Sequence, residues 1–210
     1  VDKANTDADR WIKILKHMSS YDESMQKEVL EKLVLSCKEM RDEEKIKVKN
    51  KIRCEIYRHR YFDNATWSMP EEVLCKYECA MHEIIPNEEI YDYLYVFFNE
   101  FDFPLLKPIS YSNEKSTKVF DENRTLREKE IHAKFKEFAE KGYSIDRLIQ
   151  LAVREEYDLV GSVLAQFYCG GTFNEKVLDS LMKNDNEGKQ IYAYISYLYN
   201  MGTINLGMAI

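Results

Sequence analysis

Apolar side chains recur along most of the chain at spacings of three and four residues, which is the period of one face of an α-helix. The first two stripes consist of Trp11, Ile14, Leu15 and Met18, and of Met25, Val29, Leu30, Leu33, Val34 and Cys37. They predict a helix over about residues 7–19 and a second helix that Ser20 or Asp22 caps. Asp42 is predicted to cap a third helix. The inward face of this third helix consists of Ile46, Ile52 and Ile56.

The segment from Arg53 to Pro86 joins two of the predicted helices. Ser68, followed by Pro70 and two glutamates, predicts a helix start, because serine accepts a bond from a free amide and an early proline has no N–H to satisfy. That helix ends before Pro86, since the residue preceding a proline resists helical geometry. Asn87 is predicted to cap the next helix, EEIYDYLYVFF, whose aromatic composition requires that it be largely buried.

Residues 99–121 contain two prolines and a polar run, and they predict the one long irregular segment of the chain. The predicted organisation is an N-terminal helical bundle over residues 1–98, this linker, and a C-terminal helical-repeat segment over residues 122–210. In the last segment a charged helix ends at Gly142, a residue suited to a left-handed cap, and Ser144 opens the next helix.

Helix pairs of similar length fill the C-terminal segment, and a single pair cannot bury its own apolar face. Seven glycines and four prolines are also too few for a β fold with many turns. The sequence therefore predicts an all-α protein, and more narrowly an irregular α-solenoid of HEAT-, ARM- or TPR-like helix pairs.

The net charge and the cysteine content limit the kinds of partner and the cellular location that we expect for this chain. A net charge of −7 argues against a general nucleic-acid binder. Five cysteines, an odd number, favour reduced thiols and a cytoplasmic location over a disulfide framework. No apolar run approaches the roughly 20 residues of a membrane span, so we expect no membrane partner. The ends of the chain indicate a piece of a longer polypeptide.

Cys75, Cys79 and His82 share one helix face, and thiolates and imidazole are ligands for zinc. Structural zinc takes four ligands, however, and its usual Cys-x₂-Cys knuckle lies on a turn. The alternative that we prefer is that both cysteines are small buried apolar residues beside Val73 and Leu74. We therefore expect neither a metal nor a cofactor.

Motifs of catalysis are missing from the sequence: there is no glycine-rich phosphate loop, no His-Glu-x-x-His and no nucleophile elbow. Carboxylates that could do acid–base work are Asp102, Glu155, Glu156 and Asp158. Their adjacency is explained better by helix starts or exposed positions. We expect this chain not to be an enzyme, with any NTPase or other catalytic domain elsewhere in the parent protein.

The stretch Lys45–Arg60 alternates basic residues and ends on a basic cluster beside aromatic rings. Basic residues interleaved with aromatic ones can hold phosphate and stack on bases. On a helix, alternate residues spread around half the circumference, so we expect the lysines to form a solvated surface that nearby glutamates offset. Nucleic-acid binding through this stretch is the alternative hypothesis.

Fifteen tyrosines suit either helix packing or a binding surface, because tyrosine buries a large area and keeps a polar tip. We expect most of them to pack between helices. The candidate partner-binding residues are Arg58, His59, Arg60, Trp67, Tyr91 and Tyr194.

Two passages resemble very large bacterial multidomain proteins of the STAND-like NTPase type, which act in signalling or defence. The first comprises Arg58–Phe62, Ala65, Trp67, Met69–Glu72 and the Ile85-Pro86-x-Glu88 junction, and the second comprises Lys141–Tyr143, Leu148–Ala152 and Val160–Ala165. In that group a helical-repeat region follows an effector or ATPase module. Over residues 50–205 the resemblance implies a scaffold or sensor arm with cytoplasmic partners. Its motifs are structural and carry over no catalytic residue.

The leading hypothesis is accordingly a non-catalytic α-helical scaffold or protein-interaction segment of a larger intracellular bacterial protein. It would bind a protein partner or other domains of the same polypeptide, through aromatic anchors surrounded by charge.

Overall fold

The computed structural model describes residues 7–97, 105–111, 116–154, 159–183 and 189–202. Within these ranges the chain is helical and contains no strand, which confirms the predicted all-α class. The α-helices are α1 (Ala8–His17), α2 (Glu23–Cys37), α3 (Asp42–Tyr61), α4 (Glu71–Glu83), α5 (Ser116–Glu140), α6 (Ile145–Arg154), α7 (Val160–Val163), α8 (Glu175–Met182) and α9 (Lys189–Asn200). Met18–Ser20 and Glu89–Phe97 are 3₁₀ helices, and Leu164–Tyr168 is a π-helical turn. None of the described helices has the length and apolar character needed to cross a bilayer.

The chain divides into two compact units. The first comprises Val1–Glu89 and Pro104–Arg127, and the second comprises Ile90–Phe103 and Glu128–Ile210. This division differs from the predicted one, in which residues 99–121 form a linker. Helix α5 begins at Ser116, inside the segment predicted to be irregular.

In the first unit, α1 packs against α3, α3 against α4, and α2 against α4. The predicted stripes form its core, since Leu15, Leu33, Ile52 and Ile56 are all buried. Met25 is the exception, because it lies on the exposed side of α2. The apolar period therefore predicted the inward faces of these helices correctly for most positions.

The cap of α2 is as predicted, because the Asp22 carboxylate accepts the Met25 N–H at 2.9 Å. The prediction that Asp42 caps α3 is wrong. Its buried carboxylate accepts the backbone N–H groups of Asn87 and Glu88, each at 2.8 Å. Asp42 therefore ties the start of α3 to Asn87 and Glu88 of the same unit.

The aromatic segment Glu89–Phe97 is helical and buried, as predicted, but with 3₁₀ geometry. Two of its tyrosine hydroxyls donate hydrogen bonds to carboxylates of the second unit. Tyr93 donates to Glu137 and Tyr95 donates to Glu130, each at 2.9 Å. Burial and the Glu137 carboxylate raise the pKa of Tyr93 to about 12. These tyrosines serve helix packing with a satisfied polar tip.

Elsewhere in the second unit, α6 packs against α8, and both α7 and α8 pack against α9. Gly142 follows α5 with a φ of 69°, and Ser144 Oγ accepts the Arg147 N–H at 3.5 Å, which confirms both predicted caps. The backbones of α7 and α9 meet at Gly161. A methyl group there would lie 2.0 Å from the carbonyl oxygen of Ala193, so only glycine permits this contact.

Gly161→Ala is expected to lower the free energy of unfolding by about 2 kcal/mol or more, because α7 and α9 must separate to admit the methyl group. The comparison variant is Gly202→Ala, where the φ of 69° imposes backbone strain of about 1 to 2 kcal/mol but nothing lies within 4 Å of the added carbon. Urea denaturation measures both. A smaller loss for Gly161→Ala than for Gly202→Ala would contradict the close approach of the two helices.

Candidate interaction site

The joint between α3 and α4 is built around His59, which is 2% exposed. The Met69 N–H donates to His59 Nδ1 at 3.0 Å, and the Ser68 hydroxyl donates to the His59 carbonyl oxygen at 2.7 Å. Ser68 therefore binds the end of α3, and the prediction that it caps α4 is wrong, because Pro70 occupies the N-cap position. These two bonds fix the linker that contains Trp67.

Arg60 joins the same two helices to a third segment. Its guanidinium donates to Glu71 and Glu78 on α4 and to the carbonyl oxygen of Leu106. Burial lowers the pKa of Arg60, but the hydrogen bonds to the two carboxylates outweigh burial and leave the pKa raised. The charge of Arg60 is therefore neutralised by carboxylates within the first unit.

Several other cations of the stretch Lys45–Arg60 do not lie on the solvated surface that the sequence predicted, although Lys47 is exposed. Lys45 and Lys49 are buried, and Lys45 Nζ lies 3.5 Å from Asp42 Oδ1. Lys51 pairs with the buried carboxylate of Glu55. The alternation of charge along α3 thus reflects pairing within the fold.

Arg58 differs from these residues, because it is exposed and makes no ion pair within the described part of the chain. Its guanidinium carbon lies 4.6 Å from the centre of the Trp67 ring, a cation–π contact. Of the basic cluster at residues 58–60, this side chain alone presents an unpaired charge at the surface. His59 is buried, and Arg60 is neutralised by Glu71 and Glu78.

Phe62, Trp67 and Tyr111 form an exposed cluster that we call the aromatic patch. Their side chains are 39%, 41% and 44% exposed. The Phe62 ring centre lies 5.8 Å from that of Trp67 and 5.9 Å from that of Tyr111. Tyr61 supports the patch from the side, with its ring centre 4.7 Å from Phe62. Contiguous exposed aromatic rings are typical of binding surfaces, because they are the residues that contribute most energy when a partner covers them.

An open groove of about 650 Å³ lies beside the patch, within the first unit. Its polar lining consists of His59, Arg60, Asp63, Glu71, Lys107 and Ser110. Most of these groups already bind one another, as where the Ser110 hydroxyl donates to Asp63 at 2.5 Å. A partner that covers the aromatic patch would therefore also meet a groove lined by both acidic and basic side chains.

Cys75, Cys79 and His82 are all exposed on α4, so the prediction that the cysteines are buried apolar residues is wrong. Local desolvation and the Glu71 carboxylate raise the pKa of the Cys75 thiol, which disfavours the thiolate that a metal needs. Across the described ranges, no group of three or more His, Cys, Asp or Glu side chains is placed to hold a metal ion.

The remaining candidates lie apart from the patch. Tyr91 is 3% exposed and belongs to the packing of the second unit, and Tyr194 is half-buried on α9. The carboxylates Asp102, Glu155, Glu156 and Asp158 lie outside the described residues. Sequence reasoning named Trp67 but missed Tyr111. The sequence feature that could have indicated Tyr111 is its position as an aromatic residue between two serines in a proline-containing segment.

Comparison of the chain with protein-family models, curated proteins and solved structures finds no match. The resemblance to STAND-like proteins therefore stays a prediction.

The pH dependence of the free energy of unfolding tests whether the joint between α3 and α4 depends on a neutral His59. Burial lowers the pKa of His59 from its ordinary value of 6.5, and the nearby cations Arg58 and Lys51 lower it further. The Glu55 carboxylate, with an oxygen 3.8 Å from His59 Nε2, has the opposite effect but does not outweigh burial. The unfolded chain thus takes up a proton before the folded chain does. This contribution to stability is complete above about pH 6.5 and declines as the pH falls below it, by at most about 1.4 kcal/mol per pH unit.

His59→Asn should reduce this dependence, because the asparagine oxygen can accept the Met69 N–H without titrating. Urea midpoints measured from about pH 7.5 to about pH 5.5 give the slope. The matched control is His82→Asn, on the exposed side of α4. An unchanged slope in His59→Asn would show that the joint does not depend on a neutral His59.

Proposed function

We propose that this chain is a non-catalytic scaffold or protein-interaction segment, of sensor type, within a larger intracellular bacterial protein, and that the aromatic patch is its binding surface. The observation that carries the proposal is a set of three exposed rings, in which Phe62 contacts both Trp67 and Tyr111. Burying these rings against a partner removes apolar area from water, which is the main favourable term in protein association. The odd number of cysteines supports a cytoplasmic location.

The charges near the patch favour a protein partner over nucleic acid. Affinity for a phosphate backbone depends on several available cations. In the stretch Lys45–Arg60, however, Lys45, Lys51 and Arg60 are bound to carboxylates of the same unit. Arg58 over the Trp67 ring is the one arrangement here that would suit a nucleic-acid base, and it keeps that alternative open to test.

We also propose that the helix pairs are solenoid-like, in the manner of HEAT, ARM or TPR repeats. The support is that four helices pack on the next helix but one: α1 on α3, α2 on α4, α6 on α8 and α7 on α9. Successive pairs in a solenoid bury their apolar faces in this way. A solenoid arm would present the patch to partners while needing no catalytic group.

A pull-down from bacterial lysate tests the proposed function, with the chain as bait and nuclease present. Proteins that bind through the patch should be lost with Trp67→Ala and with Tyr111→Ala, because each change removes an exposed ring. They should be retained with Tyr199→Ala, which removes an equally exposed tyrosine on α9. Quantitative mass spectrometry of the captured proteins is the measurement.

Two results would count against this proposal. Equal capture by all four baits would show that the patch is not the binding surface. Recovery of nucleic acid in the absence of nuclease, abolished by Arg58→Glu and by a rise in salt, would favour the alternative.

A further inference from the structure

We propose that His59 is a pH-sensitive switch for the aromatic patch: its neutral ring holds the linker that contains Trp67, and protonation of the ring releases that linker. The inference rests on the proposed function and names a way in which the same surface is regulated. Its support comes from the hydrogen bonds that the two nitrogens of one buried ring can make, and from the other contacts of the linker.

The hydrogen bonds of the His59 ring fix the position of its proton. Nδ1 accepts the Met69 N–H at 3.0 Å, so this nitrogen carries a lone pair and no hydrogen. A neutral imidazole has one N–H hydrogen, which therefore lies on Nε2, at 3.8 Å from a carboxylate oxygen of Glu55. Because the ring is buried, water cannot replace the bond to Met69.

Protonation changes the bonding capacity of one atom. The imidazolium carries a hydrogen on both nitrogens, so Nδ1 of His59 becomes a donor that faces the Met69 N–H. Two donors at a separation of 3.0 Å repel each other, and a buried N–H that loses its acceptor is costly. The protonated ring therefore cannot hold the linker in its present position.

Other contacts of the linker limit the change to its surface part. The Ser68 hydroxyl donates to the His59 carbonyl oxygen, and this bond does not depend on the charge of the ring. The Met69 side chain belongs to the buried core of the first unit. The Trp67 side chain is exposed, in contrast, and its ring centre lies 5.3 Å from that of His59. Displacement of the Met69 amide is therefore expected to move Trp67 away from Phe62 while the helices stay folded.

The charged and titratable groups around the ring determine when His59 takes up a proton. They are Lys51, Glu55 and Arg58 of α3, Tyr77 of α4, which lies beside Glu55, and Arg60, Asp63, Glu71 and Lys107 in the adjoining groove. Glu55 favours the imidazolium, but burial opposes it more strongly and Arg58 and Lys51 add to that opposition. The pKa of His59 is therefore lowered from its ordinary value of 6.5.

The sign of the pH dependence follows from this lowered pKa. The released form, in which the ring is no longer bound to Met69, takes up a proton more readily than the held form. The ratio of released to held linker therefore rises as the pH falls below about 6.5, by at most about tenfold per pH unit. The linker is held at neutral pH and released in acid.

NMR of the full chain from about pH 7.5 to about pH 5 tests the inference without any substitution. The nitrogen shifts of His59 should show a neutral ring with its hydrogen on Nε2 at the upper end of this range. On acidification the Trp67 indole and Met69 amide signals should shift together with the His59 ring, with a common midpoint below about pH 6.5. The Trp11 indole signal should stay in place, because Trp11 lies in the buried core of the first unit.

His59→Asn removes the titrating group, because the asparagine oxygen can accept the Met69 N–H at any of these pH values. The Trp67 signal of this variant should not depend on pH. The matched control is His82→Asn, at an exposed position of α4, in which the Trp67 signal should titrate as in the wild type.

The lysate pull-down then connects the switch to binding. Capture that depends on Trp67 should be lost between about pH 7.5 and about pH 5.5 for the wild-type chain and for His82→Asn, and retained for His59→Asn.

Each other result has a definite meaning. A Trp67 signal that does not follow the His59 ring overturns the switch, and the proposed function stands if capture still depends on Trp67. Trp67 and Trp11 signals that change together report global unfolding and also overturn the switch. A neutral ring with its hydrogen on Nδ1 does the same. Coupled titration of His59 and Trp67, in a chain whose capture of proteins never depends on Trp67, supports the conformational change and overturns the proposed function.

Discussion

The arrangement of the first unit around its surface patch depends on the partly buried guanidinium of Arg60. This group binds two carboxylates of α4 and a backbone carbonyl of the segment before Tyr111. A partly buried charge that loses its partners is costly, so these bonds hold the three segments in position relative to one another. The aromatic rings are carried on these same segments. The polar interior of the joint is thus the reason that Phe62, Trp67 and Tyr111 stay grouped at the surface.

His59 contributes to the same joint in a different way. It supplies one acceptor from its ring and one from its backbone, so that two consecutive linker residues are held by a single position of α3. Arg58, His59 and Arg60 are adjacent in sequence, yet they have an exposed, a buried and an internally paired environment. Three adjacent basic residues can therefore have three different physical roles.

The sequence predicted most of what depends on local periodicity and little of what depends on distant partners. The inward positions of α1 to α3, the cap at Asp22 and the left-handed turn at Gly142 follow from spacing and from the chemistry of single residues. Asp42, Ser68 and Lys45 were misassigned because their partners lie in other elements or in buried ion pairs. Trp67 was named from the sequence as a candidate anchor, and the structure places its ring at the surface. Tyr111 was not, because its contact with Phe62 exists only after residues 105–111 pack on the first unit.

The carboxylate of Asp42 also bears on the order in which the chain folds. Its bonds to the amides of Asn87 and Glu88 span 45 and 46 residues of sequence. Forming these bonds requires closing a long loop, at a cost in conformational entropy that contacts within one helix do not carry. We expect α3 and α4 to be helical before these bonds form, since local contacts precede distant ones. The turn at Asn87 and Glu88 is then fixed late, once the beginning of α3 presents the Asp42 carboxylate to their amides.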